Sequence, residues 1–330
     1  MNLQTTYLGL KLRNPLVIGA SPFCDNLTAC RELAEAGVAA IVMHSFFEEQ
    51  IGATPRELGG SADGLVEGRE QLSELFPHYE DYRLDSEQYL RQLERLRKLV
   101  DIPIIGSLNG SHMGNWVGQV QRMEDAGAAA IELNPYQLPT DPSRPADDIE
   151  REIVELVRTV AAAVNIPVSV KLSPFHTSLA HFASTLAANG AAGVVLFNQF
   201  YQPDIDIDAL EAVTQLRLSH SSDLLLRLRW LSILSPQFSG SLACSGGVHT
   251  TQDLVKALLA GADVVQVVSA LLRYGTGHVA SLLKGLEAWM SEHEFYSVDR
   301  VRGQLNLRKC ADPAVHERAH YLKVLQSWQV

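Results

Sequence analysis

The sequence has few cysteines, and their arrangement excludes two common kinds of framework. Four are scattered over 330 residues, as Cys24, Cys30, Cys244 and Cys310. None forms a CxxC pair, and none lies at zinc-ligand spacing from a histidine, so the sequence predicts no structural metal. Four cysteines at such wide spacing are typical of a protein in a reducing cytoplasm rather than of a disulfide framework.

The sequence also lacks runs of like charge and long apolar segments. The formal net charge is -11 without a basic cluster, which argues against a nucleic-acid partner. No apolar run approaches the roughly 20 residues that span a bilayer, and Met1–Asn14 has no pattern of a signal peptide. These features predict a cytoplasmic protein without a membrane partner.

Short apolar runs alternate with amphipathic stretches along the chain. There are eight such runs: Pro15–Ala20, Ala39–His44, Pro103–Leu108, Ala130–Asn134, Pro167–Leu172, Gly193–Asn198, Ser241–Cys244 and Asp263–Val268. Near-continuous apolarity over strand length is typical of parallel strands that are buried on both faces. A weak internal repeat, in which a glycine separates a predicted helix end from a predicted strand, occurs at Gly37, Gly127, Gly190 and Gly261.

The amphipathic stretches predict the helices between these strands. They are Asn26–Ala36, Ser86–Val100, Asn115–Ala126, Ala146–Val164, Ser178–Ala188, Ser222–Leu234 with Ser222 as N-cap, Thr251–Ala260, His278–Ser291 and a terminal Asp312–Trp328. We therefore expect a single α/β domain over residues 1–330. Its fold would be a (β/α)8 TIM barrel with N-terminal strands, a long insertion after strand 2 (Gln50–Asp85) and a C-terminal helical extension.

A polar residue closes or follows each apolar run. The set is Ser21, His44, Asn109, Asn134, Lys171, Asn198, Ser245 and Ser269. Because active sites of these barrels lie at the carboxyl ends of the strands, the set predicts a binding site there. For Ser21 and Ser245 a turn or capping role is an equal alternative. Lys171 is more informative, since a lysine at a closed barrel mouth favours an anionic or electron-rich ligand.

Ser245-Gly246-Gly247-Val248, after the seventh strand, predicts a phosphate site together with Val268 and Ser269 after the eighth. Paired glycines let backbone N–H groups approach a phosphate, and these barrels commonly bind phosphate at this place. The pattern does not choose between a flavin and a phosphosugar. For Arg227 and Arg229, we expect a place on a solvated or salt-bridged helix face rather than a role at the phosphate.

Several stretches together resemble the soluble dihydroorotate dehydrogenases, in a branch usually described as dihydroorotate dehydrogenase-like. They are Asn14–Ser21, Ile131–Asn134, Val168–Pro174, Phe197–Asn198 and Cys244–Val248, and the resemblance covers nearly the whole chain. It implies FMN as cofactor and a homodimer. It also implies that flavin-binding residues are Ala20, Ser21, Asn109, Asn134, Lys171, Ser245, Gly246, Gly247, Val268 and Ser269. Asn134 and Asn198 would contact the substrate.

The sequence departs from that family at its catalytic loop. Where the family reads Asn-Leu-Ser-Cys-Pro-Asn, this chain reads Asn134-Pro135-Tyr136-Gln137-Leu138-Pro139, without the usual cysteine or serine base. His44 replaces a lysine expected after strand 2, and Gly68–Tyr82 does not match the family's substrate loop. Candidate catalytic residues are therefore His44, Tyr136 and Thr140, with a hydrogen bond to the flavin in place of the lysine as an equal alternative for His44. His112 is more typical of a loop or cap residue.

The resemblance implies an FMN-dependent oxidoreductase acting on CH–CH bonds. The resemblance implies oxidation of dihydroorotate to orotate, in pyrimidine biosynthesis, and an orotate-like small molecule as partner. One alternative is a flavin-binding relative with a sensory or structural role, which the missing base favours. Another is a phosphosugar-type barrel enzyme without flavin, which would leave the asparagines unexplained.

Overall fold

Eight parallel strands close into a barrel. The computed structural model describes residues 1–47, 65–66, 86–110, 116–213, 215–316 and 320–327. In chain order the barrel strands are β3 (Leu16–Ile18), β4 (Ala40–Val42), β7 (Ile104–Gly110), β8 (Ala130–Pro135), β9 (Val168–Leu172), β10 (Ala191–Leu196), β14 (Ser241–Ser245) and β15 (Val264–Val267). Each pairs with its neighbours, and pairing of β15 with β3 and of β4 with β7 closes the ring. The predicted (β/α)8 barrel and all eight of its strands are confirmed.

The strands separate two apolar clusters, because successive side chains point to opposite faces. One cluster fills the barrel interior and includes Val17, Ile105 and Val264. The other joins the outer strand faces to the helices and includes Leu16, Ile104 and Val265. Burial on both faces accounts for the near-continuous apolar runs in the sequence.

Helices follow the barrel strands on the outside. Their bounds are α1 Leu27–Glu35, α2 Ser86–Leu99, α3 Trp116–Asp125, α4 Ala146–Ala163, α5 Leu179–Ala188, α6 Leu224–Leu234, α7 Thr251–Ala260, α8 Ser269–Tyr274, α9 His278–Glu292, α10 Val298–Val301 and α11 His320–Gln326. Most lie within a residue or two of the predicted bounds. The N-cap expected at Ser222 is wrong: Ser222 lies inside a 3-10 turn, Ser221–Asp223, which the Asp223 carboxylate closes by accepting from the His220 N–H at 2.8 Å.

An antiparallel hairpin closes the bottom of the barrel. It consists of β1 (Thr5–Tyr7) and β2 (Leu10–Leu12), and Tyr7, Leu8 and Leu12 are buried in the interior cluster. The Leu8 N–H donates to Ser241 Oγ at the start of β14, at 2.9 Å. With this floor in place, the opposite end of the barrel is the open one.

Further elements decorate the barrel. Two short strands, β5 (Phe46–Phe47) and β6 (Leu65–Val66), pair with β7 and with β13 (Gln215–Leu216) respectively. An exposed hairpin, β11 (Asp204–Asp206) with β12 (Glu211–Val213), was not predicted. Most of the expected Gln50–Asp85 insertion lies outside the described residues, and the terminal extension contains a 3-10 turn, Pro313–His316, before α11. In the part of the chain that the structure describes, every helix is too short or too polar to cross a bilayer.

Candidate active site

The predicted site residues lie at or just beyond the carboxyl ends of the barrel strands, which meet at one mouth because all eight strands are parallel. Ser21, His44, Asn134 and Lys171 are buried. Ala20, Asn109, Asn198, Ser245, Val268 and Ser269 are half-buried. The mouth is therefore lined by polar groups that are largely removed from bulk water.

Just below the mouth, three polar side chains meet inside the barrel. Lys171 Nζ lies 3.5 Å from Glu132 Oε1, and Gln266 Nε2 donates to Glu132 Oε2 at 2.5 Å. Glu132 and Gln266 are each 1% exposed and Lys171 is 8% exposed. They come from β8, β9 and β15, so this polar layer holds three strands together across the interior.

The asparagines form a second group at the mouth. Asn198 Nδ2 donates to Asn134 Oδ1 at 2.9 Å, which joins the ends of β8 and β10. Asn109 on β7 pairs in register with Asn134 on β8. The three predicted amide side chains thus come from one sector of the barrel. Together they offer both donors and acceptors to a planar ligand.

The double glycine after β14 forms a tight turn against the start of α6. Gly246 and Gly247 have φ of +87° and +82°, a region that favours glycine. A Cβ on Gly247 would lie 2.4 Å from the Leu224 nitrogen, so a larger residue does not fit. The Gly247 N–H donates to Ser219 Oγ at 3.2 Å, and the Ser219 N–H donates to Ser269 Oγ at 3.2 Å. The two halves of the predicted phosphate site are therefore adjacent.

Arg227 supports this turn from behind. Its Nε donates to the Ser245 carbonyl oxygen at 2.6 Å, and Nη1 donates to the Asp223 carbonyl oxygen at 2.7 Å. The expectation of a solvated or salt-bridged side chain is wrong for Arg227, which is buried, whereas Arg229 is exposed. Burial lowers the pKa of the Arg227 guanidinium. Its role is to fix the loop that carries the glycines.

His44 belongs to a buried polar cluster with residues after β3. Its Nδ1 lies 3.0 Å from Asp25 Oδ1 and 3.2 Å from Cys24 Sγ, and its backbone N–H donates to the same sulfur at 3.0 Å. The His44 ring also packs edge-on against Tyr89, with centroids 5.0 Å apart. The carboxylate beside Nδ1 fixes how the imidazole is turned.

Cys24, Asp25 and His44 also have the residue types of a metal site, with one ligand atom of each within 4.8 Å of the others. However, Cys24 Sγ lies 3.1 Å from the Ser21 carbonyl oxygen, a contact in which the sulfur must donate a proton. Burial raises the pKa of the Cys24 thiol well above its usual range, and Asp25 raises it further. In this structure the three groups form a hydrogen-bonded network around His44.

The other two candidate catalytic residues lie on the loop after β8. Tyr136 is half-buried, and its N–H donates to the Gly110 carbonyl oxygen at 3.0 Å. Thr140 is exposed. Contacts among the described residues do not join either hydroxyl to a base. His112 and Gly68–Tyr82 lie outside the described residues.

Several buried polar atoms around the mouth have no hydrogen-bond partner among the described residues. They are Ser21 Oγ, Asp25 Oδ2, His249 Nδ1 and Gln266 Oε1. His249 follows the double glycine, and its Nε2 lies 3.4 Å from Ser219 Oγ. Because unpaired buried polar atoms are costly, these four atoms are candidates for hydrogen bonds to a polar ligand or to water.

The sequence prediction missed several of these residues. Glu132 and Gln266 stand inside apolar strands, where a charge or amide on the inward face is the signal that could have revealed them. Asp25 and Ser219 gave no such signal, since their importance arises only from the partners that folding brings beside them.

Comparison with known proteins agrees with this architecture. The family model described as dihydroorotate dehydrogenase matches residues 2–290. The chain is 26% identical to the catalytic subunit of dihydroorotate dehydrogenase B (NAD(+)) of Thermoplasma volcanium, over 92% of this chain and 98% of the relative. It is 26% identical to the chloroplastic dihydropyrimidine dehydrogenase (NADP(+)) of Arabidopsis thaliana, over 92% of this chain and 76% of the relative. It is 22% identical to the NAD-dependent dihydropyrimidine dehydrogenase subunit PreA of Escherichia coli K12, over 92% of this chain and 77% of the relative. The predicted resemblance is confirmed, and the chain is an oxidoreductase that belongs to the dihydroorotate dehydrogenase family.

Proposed function

We propose that the protein is an FMN-dependent dehydrogenase that acts on a CH–CH bond of a small cyclic imide of the dihydroorotate or dihydropyrimidine class. The observation that carries this proposal is the buried polar mouth, where Lys171 and Gln266 both contact Glu132 and where Ser21 Oγ and Gln266 Oε1 are buried without a partner among the described residues. Both substrate types appear in the names of relatives that match 92% of the chain. When bound, FMN would supply a hydride acceptor at N5.

The residues present fit the phosphate of FMN. Gly246 and Gly247 carry no side chain that would block a phosphate, and the Gly247 N–H points at Ser219 Oγ beside Ser269. When a phosphate binds, the Gly247 N–H can donate to a phosphate oxygen instead of to Ser219 Oγ. The Ser219 hydroxyl can then donate to the same phosphate. His249, whose Nδ1 is buried and unpaired, borders this turn. The phosphate end would therefore be held mainly by backbone and hydroxyl donors.

The residues also fit the flavin ring. Ala20 and Ser21 would line it, and Ser21 Oγ is a buried hydroxyl in need of a partner. Lys171 would place positive charge near the pyrimidine end of the ring, where reduction increases negative charge. Because the ammonium is buried, water screens its charge little.

The substrate would lie over the asparagine group. Asn134 and Asn198 already share one hydrogen bond, which orients both amides, and their remaining donor and acceptor suit the N–H and C=O groups of a cyclic imide. His44, oriented by Asp25, would hold or move a proton at its imidazole. This would supply the acid–base group that the altered loop after β8 lacks.

Anaerobic spectroscopy tests the proposal. Purified protein, reconstituted with FMN, is mixed with dihydroorotate and separately with 5,6-dihydrouracil. Loss of the yellow flavin absorbance with either compound is the expected result and identifies the substrate class. Bound flavin that neither compound bleaches would refute the substrate class and favour a non-catalytic flavoprotein. A protein that takes up no FMN would refute the cofactor. The cytoplasmic location and the homodimer stay predictions.

A further inference from the structure

The carboxylate of Glu132 lies inside the barrel, below the proposed flavin site. Its neighbours in β8, Ile131 and Leu133, face outward into the cluster beneath the helices. Glu132 itself faces inward, bonds to Gln266 and pairs with Lys171. Each oxygen of the carboxylate therefore has one partner, from a different strand.

Stability alone does not explain this pair. Removing two charges from water is costly, and a buried ion pair is often no more stabilising than apolar residues of similar volume. Most of the interior cluster beneath it is apolar, with Val17, Ile105 and Val264, and the buried Tyr7 side chain also belongs to this cluster. An apolar layer would thus also fill the barrel at this level, and the charges call for a functional reason.

The Gln266 amide connects the pair to the flavin-lining segment. With Nε2 committed to Glu132, Oε1 remains buried and unpaired. A Cβ built on Gly19 would lie 3.3 Å from this oxygen, so the amide reaches the backbone just before Ala20 and Ser21. Glu132 therefore orients both a cation and an acceptor at the floor of the site.

We propose that Glu132 is a positioning residue that holds the Lys171 ammonium and offsets its charge, so that oxidised flavin lies over an electrically neutral site. This inference rests on the proposed function. Removal of the Glu132 charge would leave a net positive site, which favours the more negative reduced flavin. Removal of the Lys171 charge would leave a net negative site with the opposite effect.

The test compares the flavin midpoint potential of the FMN-loaded wild type with Glu132→Gln, Lys171→Met and the double variant. We expect the potential to rise in Glu132→Gln, to fall in Lys171→Met and to return close to wild type in the double variant. Sulfite binding to bound FMN, which nearby positive charge also favours, should follow the same order. It should tighten about tenfold in Glu132→Gln, the size expected for one charge at close range. Glu132→Asp, which keeps the charge, is the matched control.

Two comparisons isolate the Glu132 charge: wild type against Glu132→Gln, and Lys171→Met against the double variant. The second comparison remains if Glu132→Gln alone does not fold. Potentials that move in the same direction for both single variants, or that stay at the wild-type value without Glu132, would overturn this inference alone. A wild type that binds no FMN would overturn the proposed function and this inference with it.

Discussion

At the scale of single residues, the buried pair Glu132–Lys171 can be tested by substitution. Removing either charge leaves the other one buried without its partner. We expect Glu132→Gln and Lys171→Met each to lower the free energy of unfolding by about 3–5 kcal/mol. The double variant Glu132→Gln/Lys171→Met should lose far less than the sum of the two single losses. Urea unfolding of the cofactor-free proteins measures this. The exposed pair Glu155–Arg158 provides the control, because water screens this pair and Glu155→Gln should change stability far less. Additive losses at Glu132 and Lys171 would mean that the two charges do not interact.

His44 is the residue through which the proposed chemistry is most directly tested. We expect His44→Gln to retain FMN and to reduce the rate of flavin bleaching by substrate by about 10²–10⁴-fold, because an amide cannot exchange a proton. Asp25→Asn should slow the same step less, since it removes the negative charge beside Nδ1 but keeps the imidazole. Stopped-flow absorbance measures both rates, with the exposed His181→Gln as control. An unchanged rate in His44→Gln would exclude His44 from proton transfer.

At the scale of elements, helix α7 depends on a charged cap near the mouth. The Asp253 carboxylate accepts from Ser221 Oγ at 2.7 Å and from the N–H groups of His249 and Thr250 at 3.1 Å. Burial would raise the pKa of Asp253, but these hydrogen bonds outweigh it and lower the pKa below its ordinary value. The folded state therefore binds this proton less readily than the unfolded chain. The stabilisation is present above about pH 4 and is lost as the pH falls through the lower folded-state pKa.

We accordingly expect Asp253→Asn to cost about 1–2 kcal/mol near pH 7. The difference from wild type should narrow below about pH 4, where the wild-type carboxyl also becomes protonated. Thermal melts across pH measure this. Asp147→Asn, at an exposed carboxylate in the first turn of α4, is the matched control and should have a smaller effect. A constant difference across the whole pH range would show that the charge of Asp253 contributes nothing.

The elements that the sequence predicts best are those with buried faces. All eight barrel strands were found because both faces of each are covered, which leaves an unbroken apolar run in the sequence. The hairpin Asp204–Val213 is exposed and acidic, so it lacks this signal. Strand ends supplied most candidate site residues, such as Asn134 and Lys171. Contacts between distant segments, such as Asp25 with His44, depend on the folded distance and leave no local pattern.

In the whole molecule, the residues that mainly stabilise the barrel and the residues that would bind a ligand lie at opposite ends of the barrel axis. Its lower end is sealed by the hairpin with Leu8 and Leu12, and its upper end carries the polar mouth. In such barrels the carboxyl end of the strands carries function, while the opposite end mainly carries stability. Changes at the two ends should therefore affect different measurements.

We expect Leu12→Ala to lower stability by about 2–5 kcal/mol, because it leaves a cavity in the barrel floor. The rise in melting temperature on adding FMN should nevertheless remain as in the wild type. At a concentration of about 100 times Kd, FMN contributes about 2.7 kcal/mol, a rise of several degrees. Gly247→Ala should abolish that rise, because a Cβ there collides with the start of α6 and displaces the phosphate turn. Melts of both variants with and without FMN measure the contrast. Loss of the FMN effect in Leu12→Ala would show that the floor and the mouth are coupled, and that binding depends on the packing of the whole barrel interior.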